Sequence, residues 1–140
     1  MIDNVIHELK EKGITDFAAV GFCFGARYVF DLAFDGEIKA AAVSHPSLLV
    51  VPDDLHKYKE TGIPLLINSC EVDQAYPPEA QKLGDEILGD GKASAEKYER
   101  LYWAGCTHGF AVRGDISNPQ VKAGKEGAFK AMVEWLIKYL

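Results

Sequence analysis

Strand-like runs alternate with amphipathic segments along this chain. The strand-like runs, rich in apolar and β-branched or aromatic residues, occupy residues 17–20, 40–44, 63–69 and 97–103. Segments with apolar residues every three or four positions, which indicate helices, occupy residues 2–12, 26–34, 78–88 and the stretch from 118 onward. This alternation predicts one α/β domain over residues 1–140, with three layers in which helices cover both faces of a mainly parallel sheet.

Two further helix features follow from the pattern. Pro52 is followed by two aspartates, so we expect Asp53 or Asp54 to cap a short helix there. In the last helix an apolar stripe should face the core; it comprises Ala128, Met132, Trp135, Leu136 and Tyr139.

The pentapeptide 21–25, Gly-Phe-Cys-Phe-Gly, joins the first predicted strand to the helix at 26–34. Glycines two residues before and two residues after a nucleophile mark a nucleophile elbow, a strand-to-helix turn so tight that flanking side chains would collide. Such an elbow brings Cys23 to the end of the sheet and directs the positive end of a helix dipole at its sulfur, which favours the thiolate. A cysteine after a buried strand is also commonly an inert core residue, so this motif alone leaves both interpretations open.

An acid and a histidine lie just beyond two later strands, and their order along the chain is informative about function. Asp73 lies just beyond the predicted strand at 63–69, in the segment Asp-Gln-Ala-Tyr-Pro, and His108 lies beyond the strand at 97–103, in Gly-Cys-Thr-His-Gly-Phe. The order along the chain is therefore nucleophile, acid, histidine, each beyond the carboxyl end of a strand. That is the chain order of the α/β-hydrolase triad, and it differs from the orders in the chymotrypsin and subtilisin folds.

These three motifs together resemble those of the dienelactone hydrolase family, which are α/β-hydrolases with a Cys-His-Asp triad. Residues 21–25 resemble the family's cysteine elbow, residues 73–77 its acid loop and residues 105–110 its histidine loop. The resemblance implies that Cys23 is the nucleophile, that His108 is the general base and acid, and that Asp73 orients the imidazole. It also implies an oxyanion-hole donor in the backbone N–H of Phe24.

Substrate-binding residues are less distinct in the sequence. The family holds the substrate carboxylate with an arginine shortly after the histidine, and Arg113 is the nearby arginine, one residue displaced. The alternative is a surface ion pair between Arg113 and Asp115 or another acid. His45, at the end of the strand at 40–44, either faces the pocket or caps the strand through a backbone hydrogen bond. Arg27 is a weaker candidate because an acid such as Asp31 is expected to hold it.

The position of the elbow implies a truncated α/β-hydrolase fold that lacks the N-terminal strands. The family places further strands before the elbow, together with the loop that donates the second oxyanion-hole amide. Without these strands, residues 17–20 form an exposed apolar edge, and such edges pair with other chains. We therefore expect a homodimer or swapped oligomer through this edge, or a companion chain that pairs with it.

Composition and charge exclude several classes of partner. A net charge of −6 disfavours nucleic acid as a partner. The sequence contains neither a long apolar run nor a signal-peptide pattern, so we expect a cytoplasmic protein that does not bind membranes. The three cysteines lack zinc-site spacing, so we expect no metal, and Cys70 and Cys106 are interpreted as packed residues, although Cys106 could line the site. The expected chemistry requires no cofactor.

Three functions remain open on these residues. The first is hydrolysis of a small carboxylic ester or lactone through Cys23. The second is a catalytically weak relative that retains the triad residues and acts as a binding or assembly module. The third is a redox sensor in which Cys23 is a reactive thiolate.

Overall fold

The computed structural model describes residues 1–140 as six helices and five strands. The helices are α1 (Ile2–Glu11), α2 (Gly25–Phe34), α3 (Asp53–Thr61), α4 (Pro78–Leu88), α5 (Phe110–Arg113) and α6 (Pro119–Tyr139). The strands are β1 (Ala18–Phe22), β2 (Ala40–Ser44), β3 (Leu65–Val72), β4 (Ser94–Ala95) and β5 (Tyr98–Thr107). The four predicted strands and the predicted helices are all present; β2 and α4 have the predicted ends, and the other elements have shifted ends.

The strands form one sheet in the order β1-β2-β3-β5-β4. Neighbours among β1, β2, β3 and β5 are parallel, and the two-residue β4 pairs antiparallel with β5. The prediction of a mainly parallel sheet is therefore confirmed. Because the long strands run in one direction, their carboxyl ends meet at one edge of the sheet.

Alternate residues of the strands face two different helix layers. Ala41 and Val43 belong to the larger core cluster, together with residues of α2, α3 and α4 such as Phe30 and Tyr58. On the opposite face Ala42 and Leu66 pack against Met132 and Trp135 of α6, which belong to the stripe that the pattern assigned to the core. The three-layer prediction is confirmed. No helix is both long and apolar enough to cross a membrane.

Several elements differ from the prediction at the carboxyl ends of the strands. β3 and β5 extend further than expected, and their register shifts between Cys70 and Val72, opposite a region where Gly105 has a positive φ of 72°. β4 and α5 were not predicted, because two-residue and four-residue elements are too short to show a periodic pattern.

The prediction that Asp53 or Asp54 caps α3 is wrong. Pro52 occupies the N-cap position, and Asp53 is already the first helical residue. The Asp54 carboxylate instead accepts a hydrogen bond from the backbone N–H of Val50 at 2.7 Å and pairs with Arg27. The Asp54 carboxylate is therefore bonded to Val50 and Arg27 and does not provide the helix cap that the local pattern predicted.

Strand β1 lies at the edge of the sheet, with β2 as its one neighbour. Val20 in the middle of this strand is 42% exposed. The outer face of α6 also carries exposed apolar residues, at Phe129, Val133 and Ile137. Pairing of the β1 edge with another chain remains a prediction.

The turn from β1 into α2 depends on a close approach between two glycines. A Cβ added to Gly21 would lie 2.8 Å from the carbonyl carbon and oxygen of Gly25 and 2.8 Å from a methyl of Val29. A Cβ at Gly25 would meet nothing within 4 Å. The expectation that crowding requires both glycines is therefore correct for Gly21 and wrong for Gly25.

We predict that Gly21→Ala destabilises the protein by about 1–3 kcal/mol, because the added methyl group has no space and the contacting atoms include rigid backbone. Gly25→Ala is the matched control, and we expect a change within about 0.5 kcal/mol. Urea unfolding of both variants beside the wild type measures these differences. Equal destabilisation by the two substitutions would contradict the packing argument.

Candidate active site

Three predicted site residues lie immediately after three parallel strands. Cys23 follows β1, Asp73 follows β3 and His108 follows β5. The parallel register brings these strand ends to the same edge of the sheet, although 85 positions separate Cys23 from His108 along the chain. The structure therefore brings the three residues together, as the sequence predicted.

Cys23 lies at the apex of the turn with a positive φ of 52°. This left-handed conformation costs a residue with a side chain about 1–2 kcal/mol. Both polar groups of its backbone are bonded: its N–H donates to Ser44 O at 3.1 Å, and its carbonyl accepts from Ser47 N at 3.0 Å. These bonds hold the strained residue in place and direct its side chain away from the sheet, into a half-exposed position.

A chain of hydrogen bonds joins the three side chains. His108 Nε2 lies 3.0 Å from Cys23 Sγ, and His108 Nδ1 lies 2.9 Å from Asp73 Oδ1. The ring therefore has one nitrogen on the sulfur and the other on the carboxylate. This is the arrangement in which an imidazole can exchange a proton with a nucleophile while an acid fixes its orientation.

Asp73 is fixed by its own loop. Its Oδ1 accepts the backbone N–H of Ala75 at 2.8 Å and of Tyr76 at 3.1 Å, in addition to the bond with His108. The thiol of Cys70 approaches its Oδ2 at 3.8 Å. The Asp73 side chain is 1% exposed, so these donors replace water around a buried carboxylate.

The electrostatics of the pair favour thiolate and imidazolium. The hydrogen bond with Ser47 is the main cause that lowers the pKa of Cys23, and His108 and the Phe24 amide act in the same direction against the opposing effect of burial. Burial opposes protonation of His108, but its hydrogen bonds to Cys23 and Asp73 outweigh this and raise its pKa. The proton is therefore drawn from sulfur to the ring.

Ser47 is a site residue that the sequence did not reveal. Its Oγ lies 3.4 Å from Cys23 Sγ. The only signal in the sequence was its place just beyond β2, at the same edge of the sheet as the nucleophile. A serine in such a loop has no pattern that distinguishes it from other loop serines.

The backbone N–H of Phe24, the predicted oxyanion-hole donor, is directed towards the Cys23 sulfur, whose pKa it helps to lower. It donates to no backbone carbonyl and to no side-chain oxygen in the structure, and it lies near the Cys23 sulfur. It stands at the N-terminal end of α2, where the helix dipole favours negative charge.

A pocket of about 200 Å³ lies beside Cys23. It is lined by Phe22, Cys23, Phe24, His45, Gly109, Val112 and Arg113. The Arg113 side chain folds back over Gly109 and forms no ion pair. The alternative of an Arg113–Asp115 pair is therefore wrong, and Asp115 instead accepts from Ser117 N. The walls are mainly apolar, with one unpaired cation at the rim.

His45 satisfies both alternatives that the sequence left open. Its backbone N–H donates to Asn68 O at 2.8 Å, and its ring lines the pocket. The ring lies edge-on to His108, with centroids 5.1 Å apart, and neither ring nitrogen has a hydrogen-bond partner. Burial, followed by the proximity of His108, lowers the pKa of His45 to about 4.

The remaining candidates lie outside the pocket. Cys70 and Cys106 are buried beneath it with Phe110 and Ala128, so Cys106 does not line the pocket. Arg27 forms ion pairs with Asp31, as expected from the sequence, and with Asp54. No group of three or more His, Cys, Asp or Glu side chains is arranged to hold a metal ion.

A parallel sheet between helix layers, with a tight strand-to-helix turn at Cys23 on its carboxyl edge, defines a protein with an α/β-hydrolase-like fold. The model of the dienelactone hydrolase family matches residues 2–140, and the chain belongs to that family. The expected membership of this family is therefore confirmed.

Curated relatives cover the whole chain. A protein named hydrolase tropI from Talaromyces stipitatus is 32% identical over 100% of this chain and 53% of its own length. Hydrolase pyvD from Aspergillus violaceofuscus is 29% identical over 100% of this chain and 55% of its own. The chain thus spans about half the length of the curated relatives it matches.

Solved structures share the fold at lower identity. A Klebsiella pneumoniae protein assigned as a dienelactone hydrolase has a TM-score of 0.75 and 17% identity, with 99% of this chain and 59% of the other covered. An α/β serine hydrolase homologue from Coxiella burnetii has a TM-score of 0.66 and 18% identity, with 93% and 56% covered.

Because burial lowers the pKa of His45, we expect the free energy of unfolding to depend on pH. Its folded-state pKa of about 4 lies below the ordinary value of 6.5. The unfolded chain therefore binds the proton first, and the contribution of His45 to stability, complete above pH 6.5, declines as pH falls towards 4. The charges facing the ring are those of His108, Asp73 and Arg113. We predict that His45→Phe reduces the loss of unfolding free energy over this interval, measured by urea titration. Parallel wild-type and variant curves would contradict it.

Proposed function

We propose that this chain hydrolyses small carboxylic esters or lactones, with Cys23 as the nucleophile, His108 as general base and acid, and Asp73 as the residue that orients the imidazole. The observation that carries the proposal is the continuous hydrogen-bonded chain from Cys23 through His108 to the buried Asp73. Membership of the dienelactone hydrolase family supports the same reaction class.

Acylation begins with the thiolate of Cys23. The sulfur attacks the carbonyl carbon, the C=O electron pair moves to oxygen, and the oxyanion accepts a hydrogen bond from the N–H of Phe24. When the intermediate collapses, the C–O bond to the leaving group breaks and the protonated His108 gives its proton to the departing alkoxide. The product is a thioester on Cys23.

Deacylation uses the same residues in reverse roles. Neutral His108 takes a proton from water, the resulting hydroxide attacks the thioester, and collapse of the intermediate returns the electron pair to sulfur. A carboxylic acid is released, and the thiolate–imidazolium pair is restored. Asp73 stabilises the imidazolium without taking its proton.

The pocket suggests the shape and charge of the substrate. Its volume of about 200 Å³ accommodates a small acyl group, and its walls include Phe22, Phe24 and Val112. We propose that Arg113 binds a carboxylate on the substrate and that His45 contacts its body. A neutral imidazole at His45 suits an uncharged part of the substrate, because burial disfavours a second cation there.

We predict that the chain turns over p-nitrophenyl acetate and that Cys23→Ala and His108→Ala each reduce turnover on the order of 10⁴-fold or more. His56→Ala, which removes an exposed histidine outside the site, is the control and should retain wild-type activity. Product release and the mass of the acyl-enzyme measure the result.

The pattern of failure distinguishes the other functions. One acylation of Cys23 without turnover would favour the binding or assembly module, since the nucleophile would work without complete hydrolytic machinery. Stoichiometric oxidation of Cys23 by peroxide, with no reaction towards esters, would favour the redox sensor.

We also predict a substrate-charge effect at Arg113. Arg113→Met should raise KM about tenfold for an ester that carries a carboxylate, because a charged hydrogen bond is lost at an exposed site. A neutral ester of the same shape is the control and should show an unchanged KM with the same variant. Equal effects on both esters would assign Arg113 to packing.

A further inference from the structure

We propose that Ser47 is a positioning residue of the nucleophile, whose hydroxyl donates a hydrogen bond to the thiolate of Cys23 and holds the sulfur against His108. This inference rests on the proposed role of Cys23. It adds a fourth side chain to the site, from a strand end that contributes none of the three motif residues.

The contact is specific to the sulfur. Ser47 Oγ lies 3.4 Å from Cys23 Sγ, and the hydroxyl makes no other hydrogen bond in the structure. The sulfur in turn has two side-chain partners, Ser47 and His108. A half-buried hydroxyl commonly bonds to a backbone carbonyl, so its direction towards a sulfur requires an explanation.

Backbone bonds deliver Ser47 to this position. Ser47 N donates to the carbonyl of Cys23, while Cys23 N donates to the carbonyl of Ser44. Residues 44–47 and the elbow are therefore bonded in both directions. The hydroxyl reaches the sulfur through a rigid frame rather than through a mobile loop.

Strain in the same segment supports a functional arrangement. His45 and Leu48, which flank Ser47 and its preceding proline, have positive φ angles of 40° and 60°. Such conformations are costly in residues other than glycine, and they persist where surrounding contacts enforce them, often at active sites. Here the two strained residues lie on either side of Ser47, the residue of this segment whose side chain contacts Cys23.

The chemistry of sulfur explains what a hydroxyl can contribute. A thiolate carries three lone pairs and no proton, so it accepts from His108 Nε2–H and still has capacity for a second donor. Attack transfers a lone pair to carbon and weakens the bond to Ser47. When the C–S bond breaks during deacylation, the pair returns to sulfur, where the hydroxyl again stabilises it. Ser47 therefore acts on the resting and leaving thiolate.

Several other polar or ionisable side chains lie near the Cys23 sulfur, and their positions can be compared with that of Ser47. His108 donates to it, Arg113 lies at the rim of the same pocket, and His45 faces His108 as a neutral ring. The hydrogen bond to Ser47 is the largest cause of the lowered pKa of Cys23.

The test measures alkylation of Cys23 by iodoacetamide over a range of pH in the full chain, with peptide mass spectrometry to separate Cys23 from the buried Cys70 and Cys106. Thiolate is the reactive form, so the midpoint of the rate profile reports its formation. We expect Ser47→Ala to move this midpoint up by about half to one pH unit. This readout requires no turnover, so it stands or falls separately from the hydrolase proposal.

A second pair of variants separates the effect of the hydroxyl from the effect of side-chain volume. Ser47→Thr retains a hydroxyl, and Ser47→Val introduces a side chain of nearly the same volume as threonine without a hydroxyl. We expect a near wild-type midpoint for Thr and an Ala-like midpoint for Val. Coincident profiles for Thr and Val, or no shift in Ser47→Ala, would overturn the proposal, and the Thr–Val comparison decides the matter even if Ser47→Ala does not fold.

Discussion

The site depends on the close contact between Gly21 and the backbone of Gly25. Only because residue 21 lacks a Cβ can the chain turn from β1 into α2 within a few residues. This turn holds Cys23 in a left-handed conformation, projects its sulfur beyond the sheet and places the Phe24 amide beside that sulfur at the start of a helix. Nucleophile direction, helix-dipole field and oxyanion donor are thus consequences of one steric condition, and a side chain at residue 21 would disturb all three.

The parallel sheet converts this local turn into a chemical site. Strands β1, β2, β3 and β5 end at one edge, so the residues that follow them are neighbours in space. Asp73 and His108 arrive from β3 and β5, while Ser47 arrives from the β2 end. Burial of Asp73 among backbone donors fixes His108, and His108 and Ser47 then stabilise negative charge on sulfur. The hydrogen-bonded chain thus runs from the buried Asp73 through His108 to the half-exposed sulfur of Cys23.

A thiolate with a proton-accepting histidine is consistent with more than one function. Acyl transfer needs an oxyanion hole and room for substrate, and the structure has one amide without an oxygen acceptor and a small apolar pocket at the sulfur. Redox chemistry would need only the reactive sulfur. The pocket beside the sulfur and the unpaired Arg113 at its rim offer a place for a substrate, which supports the proposed hydrolase over a simple sensor. The relatives are nearly twice as long, and β1 is an open edge, so further polypeptide could add to this pocket.

The sequence alone determined the elements that carry a local signature. Strand–helix alternation predicted the sheet and its layers, and the three motifs predicted Cys23, Asp73 and His108, because tight turns and strand ends demand particular residues at fixed spacing. The short β4 and α5, the pairing of Asp54, the role of Gly25 and the contact of Ser47 have no such signature. They arise when distant segments pack, and the same local pattern is compatible with several outcomes. Tertiary structure alone decided which serine meets the sulfur and which arginine stays unpaired, since both depend on distances between segments that sequence spacing does not encode.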